Sequence, residues 1–240
     1  MSKTYFKLVG LAIGLTMIIS LFSVTSVILE MDTNGVILSQ IAAFALSAIC
    51  LLLYMEKQDS SLKQFGFRKG AVNNYLFGFI LMIVVIQPAI LGFDLSLPFA
   101  TIFLIILQMI LVGFVEESFF RGIFFYFLKG KHPKIYLLFS STVFGFLHMV
   151  SGLNPNTAPI LVALQVINAL LLGGVFSLMY YSTGSLYLVI GFHAVFNILA
   201  SLSKAGSLNQ NIWAVSLLSV CYVVFLIIYP KYQLLGKTAS

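Results

Sequence analysis

Residues 99–128 read FATIFLIILQMILVGFVEESFFRGIFFYFL, thirty residues in which only Glu116, Glu117 and Arg121 are charged. A transmembrane helix needs about 20 predominantly apolar residues. This stretch therefore predicts a membrane-spanning helix with length to spare, either tilted or extending past the bilayer. Outward from it, apolar runs broken by polar clusters predict seven more helices. They run over Tyr5–Leu29, Val36–Tyr54, Val72–Leu91, Ile135–Val150, Ala158–Tyr180, Ser185–Ser203 and Ile212–Tyr229. The expected fold class is all-α: a polytopic membrane protein of about eight transmembrane helices, forming a single transmembrane domain over residues 1–240.

Composition agrees. Of 240 residues 60% are hydrophobic and 8% charged, and the mean hydropathy is +1.07. A soluble domain carries roughly 25% charged residues, so a soluble enzyme, a nucleic-acid-binding module and a disordered chain are all excluded. The net charge of +6 is not a nucleic-acid signal here, and the expected partner is the lipid bilayer. Lys3 and Lys7 precede an apolar stretch of about 22 residues, longer than a signal-peptide core and without an A-x-A-like site. The expectation is an uncleaved first helix. Cys50 and Cys221 lie in apolar runs and are expected to be buried as small hydrophobes.

The basic residues set the orientation. Lys3 and Lys7, then Lys57, Lys63, Arg68 and Lys69, then Lys129, Lys131 and Lys134, then Lys231 and Lys237 all fall on one side of the eight spans, eleven of thirteen. The positive-inside rule then makes both termini cytoplasmic. Gln64–Lys69, with Phe65 and Phe67 beside basic residues, reads as an interfacial segment at the headgroups or as a plain solvated loop. Pro88 is expected to kink its helix or end it early.

Of the seven acidic residues, five fall in loops and two, Glu116 and Glu117, fall inside the long span. Each charge at a helix centre costs about 2.5–3.5 kcal/mol on the insertion scale, so three together cost on the order of 8–10 kcal/mol unless paired or hydrated. Glu117 and Arg121 have the favourable i,i+4 order for an ion pair. Glu116 points about 100° away from Glu117 and is expected to meet a different neighbour. Two histidines are also intramembrane. His148 ends the fifth span, and His193 shares a face of the seventh with Asn197. Each alone reads as a helix–helix hydrogen-bonding residue, and His132 as a basic-loop residue. Counted from the cytoplasmic helix ends, Glu116, His148 and His193 lie roughly 18, 20 and 12 Å deep, so one cluster in the middle or cytoplasmic half is geometrically open to them.

A glutamate beside two histidines can take a proton from water and make it nucleophilic. His193 and Asn197 could then offer donors to an oxyanion. Alternatively Glu116, His148 and His193 could hold a divalent metal such as zinc with an open position. Other intramembrane hydrolases are absent by motif. The chain has no His-Glu-x-x-His, no aspartate within a span, no G-x-S-G loop, and no histidine on the spans of Cys50 and Cys221.

Glu116-Glu117-x-x-x-Arg121, Phe144-x-x-x-His148 and His193-x-x-x-Asn197, in that order on three spans, resemble the CPBP (Abi) family of CAAX-processing and bacteriocin-processing intramembrane proteases. The resembling core covers approximately residues 99–203, and Gln64–Arg68 resembles a segment that many members carry ahead of it. The resemblance implies Glu116 as general base, His148 as a holder of the attacking water, and His193 with Asn197 as oxyanion donors. Glu117, Arg121 and Phe144 would support the site. Members are described both as metalloproteases and as metal-free glutamate hydrolases, and the sequence leaves that choice open. For so small a chain the resemblance points to the bacterial plasma membrane. It also implies a peptide or protein substrate at the membrane, cut near the cytoplasmic leaflet. The alternatives are a non-enzymatic bacteriocin self-immunity or scaffold protein, and a proton-coupled transporter.

Overall fold

The computed structural model describes residues 2–153 and 157–238, with side chains for 3–153 and 157–232. The side chain of Lys237, counted above among the basic residues, lies outside the described set. The chain is all-α, and among the described residues the one extended pairing is a bridge between Phe93 and Ser203. The helices are α1 (Ser2–Ile28), α2 (Thr33–Gln58), α3 (Asn74–Leu91), α4 (Phe99–Glu117), α5 (Phe124–Leu128), α6 (Pro133–Leu147), α7 (Pro159–Thr183), α8 (Leu186–Ser201) and α9 (Leu208–Thr238). A π-turn over Ser118–Ile123 joins α4 to α5, so the expected fourth span is one continuous 30-residue unit, Phe99–Leu128.

Seven of the expected spans are long and apolar enough to cross a membrane. The expected Ser185–Ser203 span is shorter: α8 has 16 residues, about 24 Å of rise against a hydrocarbon core of about 30 Å. Its boundaries have local causes. Gly184 takes a left-handed φ of +63° and closes α7 just before it, and Ser203 is held to Phe93 just after it. Pro88 neither breaks α3 nor ends it at once, because it sits one turn from the C-terminus, where Gly92 N–H closes on its carbonyl. Cys50 is exposed and Cys221 half-buried, contrary to expectation. In a membrane protein the outer face of a helix is apolar because it meets lipid, so an apolar run does not imply burial in the protein.

The loop before α3 also departs from both readings offered above. Phe65 is wholly buried and stacks on Tyr126, while its carbonyl accepts from Tyr180 Oη–H at 2.9 Å. Gly66 stands at φ +93°, where a Cβ would come within 2.5 Å of the Tyr180 ring. Its carbonyl accepts the Leu186 N–H at 2.7 Å, and Arg68 Nε donates to Gly184 O at 2.9 Å. Residues 62–68 are thus a plug wedged between the ends of α5, α7 and α8. Lys129 Nζ donates to Gln64 of this plug and Lys7 covers the Phe127 ring, so the basic residues of separate loops gather at one end of the bundle.

Helix packing positions the residues of interest. α4 packs against α2 and α8, and α6 lies along α7. At Gly145 a Cβ would fall 2.7 Å from Leu170 Cβ and 2.8 Å from its Cα. Only a glycine lets α6 and α7 approach so closely, which is how membrane helices gain contact without a hydrophobic driving force. The tight core fills the basic half of the bundle: the buried residues of α7 begin at Ala169, with none in its first ten residues.

Candidate active site

Glu117 and Arg121 form the expected pair, Nη1 to Oε1 at 2.9 Å, with both side chains fully buried. Charges this deep require compensation. Arg121 finds it in three ways: Glu117, the Gly173 carbonyl at 3.0 Å, and the faces of Phe144 and Phe176 at 4.5 and 5.2 Å. The pair spans the start of the π-turn, a helix irregularity found frequently at functional sites.

Sequence spacing did not anticipate where His193 sits. Its Nδ1 is 2.7 Å from Glu117 Oε1 and its Nε2 is 3.7 Å from Glu116 Oε2. The two glutamates therefore meet one imidazole, against the expectation of separate neighbours. Their 100° separation on α4 is bridged because α8 packs into the angle between them. Phe176 stacks on the imidazole at 4.9 Å and fixes its plane. A carboxylate has only acceptors, so the proton of this contact sits on Nδ1 when Glu117 is ionised.

His148 ends α6, where its Nδ1 lies 2.8 Å from the Phe144 carbonyl. A carbonyl can only accept, so Nδ1 carries the hydrogen and Nε2 of the neutral ring keeps its lone pair. Phase along α6 also places Phe144 edge-on to the His148 ring at 4.8 Å. His132, by contrast, caps the start of α6 through Lys134 N–H at the basic end, far along the chain's topology from this cluster.

A cavity of about 370 Å³ is lined by Glu116, His148, His193 and Asn197, the four residues expected to act on substrate and water. Phe144 also lines it, while Glu117 and Arg121 lie behind its wall. The Asn197 carboxamide makes no hydrogen bond among the described residues. Glu116 and His148 also line a second cavity of about 160 Å³ that runs between α1 and α6, past Leu15, Thr16 and Ser20. Beyond it, sharing Thr16, Ser20, Leu147 and Val150, lies an apolar groove of about 740 Å³. Neither these spaces nor the first is lined by a residue nearer the basic end than Phe120. From the cluster these spaces extend sideways, between α1 and α6, and toward the basic-poor end of the bundle.

Four cavity residues escaped sequence reasoning: Gln40, Gln108, Gln165 and Asn168. Their signal was available, since carboxamides inside apolar spans are costly, but charge and histidine content alone do not reveal it. Among the described residues no group of three or more His, Cys, Asp or Glu side chains is arranged to hold a metal ion. Glu117 occupies His193 Nδ1, and Glu116, His148 and His193 surround a shared space without converging as one ligand set.

Residues 98–199 match the family described as Type II CAAX prenyl endopeptidase Rce1-like. No curated protein matches the chain.

Proposed function

From a chain that belongs to the CPBP/CAAX protease family through residues 98–199, we propose an intramembrane endopeptidase that hydrolyses a peptide bond of a membrane-associated peptide or protein. The observation carrying this reading is the imidazole of His193, held by buried Glu117 and facing Glu116 across a cavity shared with His148. No step is routed through a metal, because the donor set does not converge on one point.

In the proposed mechanism a water lies between Glu116 and His148 Nε2, donating one hydrogen to each. Glu116 removes one proton as the water oxygen attacks the carbonyl carbon. The resulting oxyanion accepts from the Asn197 carboxamide and from His193 Nε2–H. With Nδ1–H directed at Glu117, a donor at Nε2 requires the imidazolium, whose charge two flanking carboxylates would balance. Glu116 then returns its proton to the leaving nitrogen and the C–N bond breaks; the second water proton, held toward His148 Nε2, passes through that nitrogen to the amine, so that a carboxylate and an ammonium group depart. Donors fixed before reaction need no reorganisation in the transition state, which is why such arrangements are effective.

The apolar groove between α1 and α6 supports a substrate that is itself membrane-associated, since it leads from the lipid-facing surface to Glu116. The proposed setting is a bacterial plasma membrane with both termini cytoplasmic, supported by the gathering of basic residues at one end. The test compares membrane peptidomes of cells expressing the wild-type chain or Glu116→Gln. Peptides with new termini that vanish in the variant support the reading. If a protective effect against a bacteriocin persists undiminished in Glu116→Gln and no termini change, the protein is a non-enzymatic immunity protein.

A further inference from the structure

The basic end of the bundle carries more positive charge than the chain itself balances. Ten of the eleven basic residues counted to this end have described side chains, and they stand against two carboxylates, Glu56 and Asp59. Asp59 is committed to Ser61 and to the Gln64 N–H. Every ion pair among the described residues belongs instead to the Glu116–Glu117 cluster.

Two of these cations are held in place. Lys7 projects from α1 and Lys129 follows α5, yet their ammonium groups sit on neighbouring rings. Lys7 Nζ lies 5.0 Å from the centre of the Phe127 ring and Lys129 Nζ lies 4.7 Å from that of Tyr126. The two rings meet edge to face at 5.5 Å. Tyr126 is stacked in turn on buried Phe65 at 4.7 Å, and Gln64 Oε1 accepts from Lys129 at 3.2 Å. The floor beneath the cations is therefore fixed by the plug. A ring face attracts a cation without neutralising it. Both lysines remain exposed, and neither is paired with a carboxylate among the described residues.

The complement to this seat is an anion, and the surface beside it adds an apolar requirement. Below Lys7 the outer face of α1 is open: a Cβ at Gly10 or Gly14 would meet nothing within 4 Å, and Met17 and Leu21 are exposed where they line the apolar groove. The rise from Lys7 to Met17 is about 15 Å. That is half of a hydrocarbon core about 30 Å thick, the depth that one acyl chain covers. A zwitterionic headgroup would bring its own cation to two ammonium groups, whereas an anionic one would not. Basic clusters beside membrane helices are suited to anionic headgroups for this reason.

We propose that Lys7 and Lys129 form a binding site for an anionic glycerophospholipid, its phosphate held by the two ammonium groups over Tyr126 and Phe127 and an acyl chain lying along α1. The site is separate from Glu116 and does not depend on the endopeptidase reading.

Native mass spectrometry of the full chain in detergent, titrated with dioleoyl phosphatidylglycerol or dioleoyl phosphatidylcholine, measures the site. Phosphatidylglycerol is expected to bind the more tightly. Removing one lysine is expected to weaken it about 5-fold, and removing both, in Lys7→Gln with Lys129→Gln, about 30-fold. Lys131→Gln with Lys134→Gln takes the same charge from the adjoining loop and is expected to bind as the wild type does. Lys7→Arg with Lys129→Arg keeps both charges and is expected to retain binding. Unfolding midpoints without lipid identify any variant that fails to fold, and the single variants carry the test if the double one does. Equal binding of the two lipids, an equal loss in the two double glutamine variants, or undiminished affinity in Lys7→Gln with Lys129→Gln overturns the site. Displacement by soluble glycerol phosphate would make it a seat for a phosphate ester without acyl chains and overturns the lipid. Glu116→Gln is expected to bind phosphatidylglycerol like the wild type, so failure of the lipid site and failure of the peptidase reading are told apart.

Discussion

His193 Nδ1 lies 2.7 Å from Glu117 Oε1, and this contact joins a fully buried ion pair to an open cavity. Behind it stand Arg121 and the aromatic faces of Phe144 and Phe176; in front of it stand Glu116 and His148. The catalytic proposal depends on this division, with one glutamate committed to holding the imidazole and the other left 18% exposed to act on water.

Replacing Glu116 by Gln keeps the shape and removes the base. A positioned general base contributes roughly 100- to 10,000-fold to rate, and a loss in that range is expected. Accumulation in the membrane should be unchanged, because Glu116 is not part of the buried pair. Cleavage of a substrate found by the peptidome comparison, normalised to protein by immunoblot, checks both halves.

Arg121→Met leaves Glu117 buried without a countercharge, and breaking a buried pair on one side costs about 3–5 kcal/mol. Replacing both, Glu117→Leu with Arg121→Met, should recover much of that stability, since an apolar pair of similar volume is often no worse. Activity should not return, because His193 Nδ1 has lost its anchor. Thermal unfolding in detergent alongside cleavage separates the two effects; full activity in the double variant would falsify the anchoring role of Glu117.

At His148 the Nδ1–H is spent on Phe144 O, so the free Nε2 is the functional atom. His148→Gln can place an amide oxygen near that position, whereas His148→Asn reproduces only the Nδ1 side. Residual cleavage is therefore expected in the order Gln above Asn. The opposite order would move the function to Nδ1.

Tyr180→Phe removes the bond to Phe65 O and should lower stability by about 1 kcal/mol, an ordinary net hydrogen-bond contribution. Gly66→Ala should cost more, because φ +93° is strained for any L side chain and the added Cβ meets the Tyr180 ring. Comparing the unfolding midpoints of the two variants checks the order.

The plug also has a predicted pH response. The Asp59 carboxyl is held below its ordinary value of 3.8 by the Gln64 N–H and the Ser61 hydroxyl. A lowered folded value means the anchoring is complete above the ordinary value and is lost as pH falls through the folded one. Amide exchange at Gln64, corrected for intrinsic rate, should be flat from neutrality to mild acid and rise only below the ordinary carboxylate range. A rise near neutral pH would assign the anchoring to another group.

Local chemistry determined a great deal by itself. Apolar runs of sufficient length made Phe99–Leu128 and six other helices legible as spans, because in a bilayer each span must satisfy its own backbone. The i,i+4 spacing made the Glu117–Arg121 pair legible for the same kind of reason, since both groups ride on one helix. What the tertiary structure alone decided lies between helices. α8 packing into α4 turned both glutamates onto His193, and α6 against α7 at Gly145 brought His148 to the same cavity. Phe65, which read as a headgroup or loop residue, became a buried plug. Carboxamides from α2, α4, α7 and α8 came to share one space. No periodicity along a single helix encodes which lipid-length neighbour it meets or which end of a cavity is left unfilled, because those depend on side-chain volumes contributed by segments a hundred residues apart.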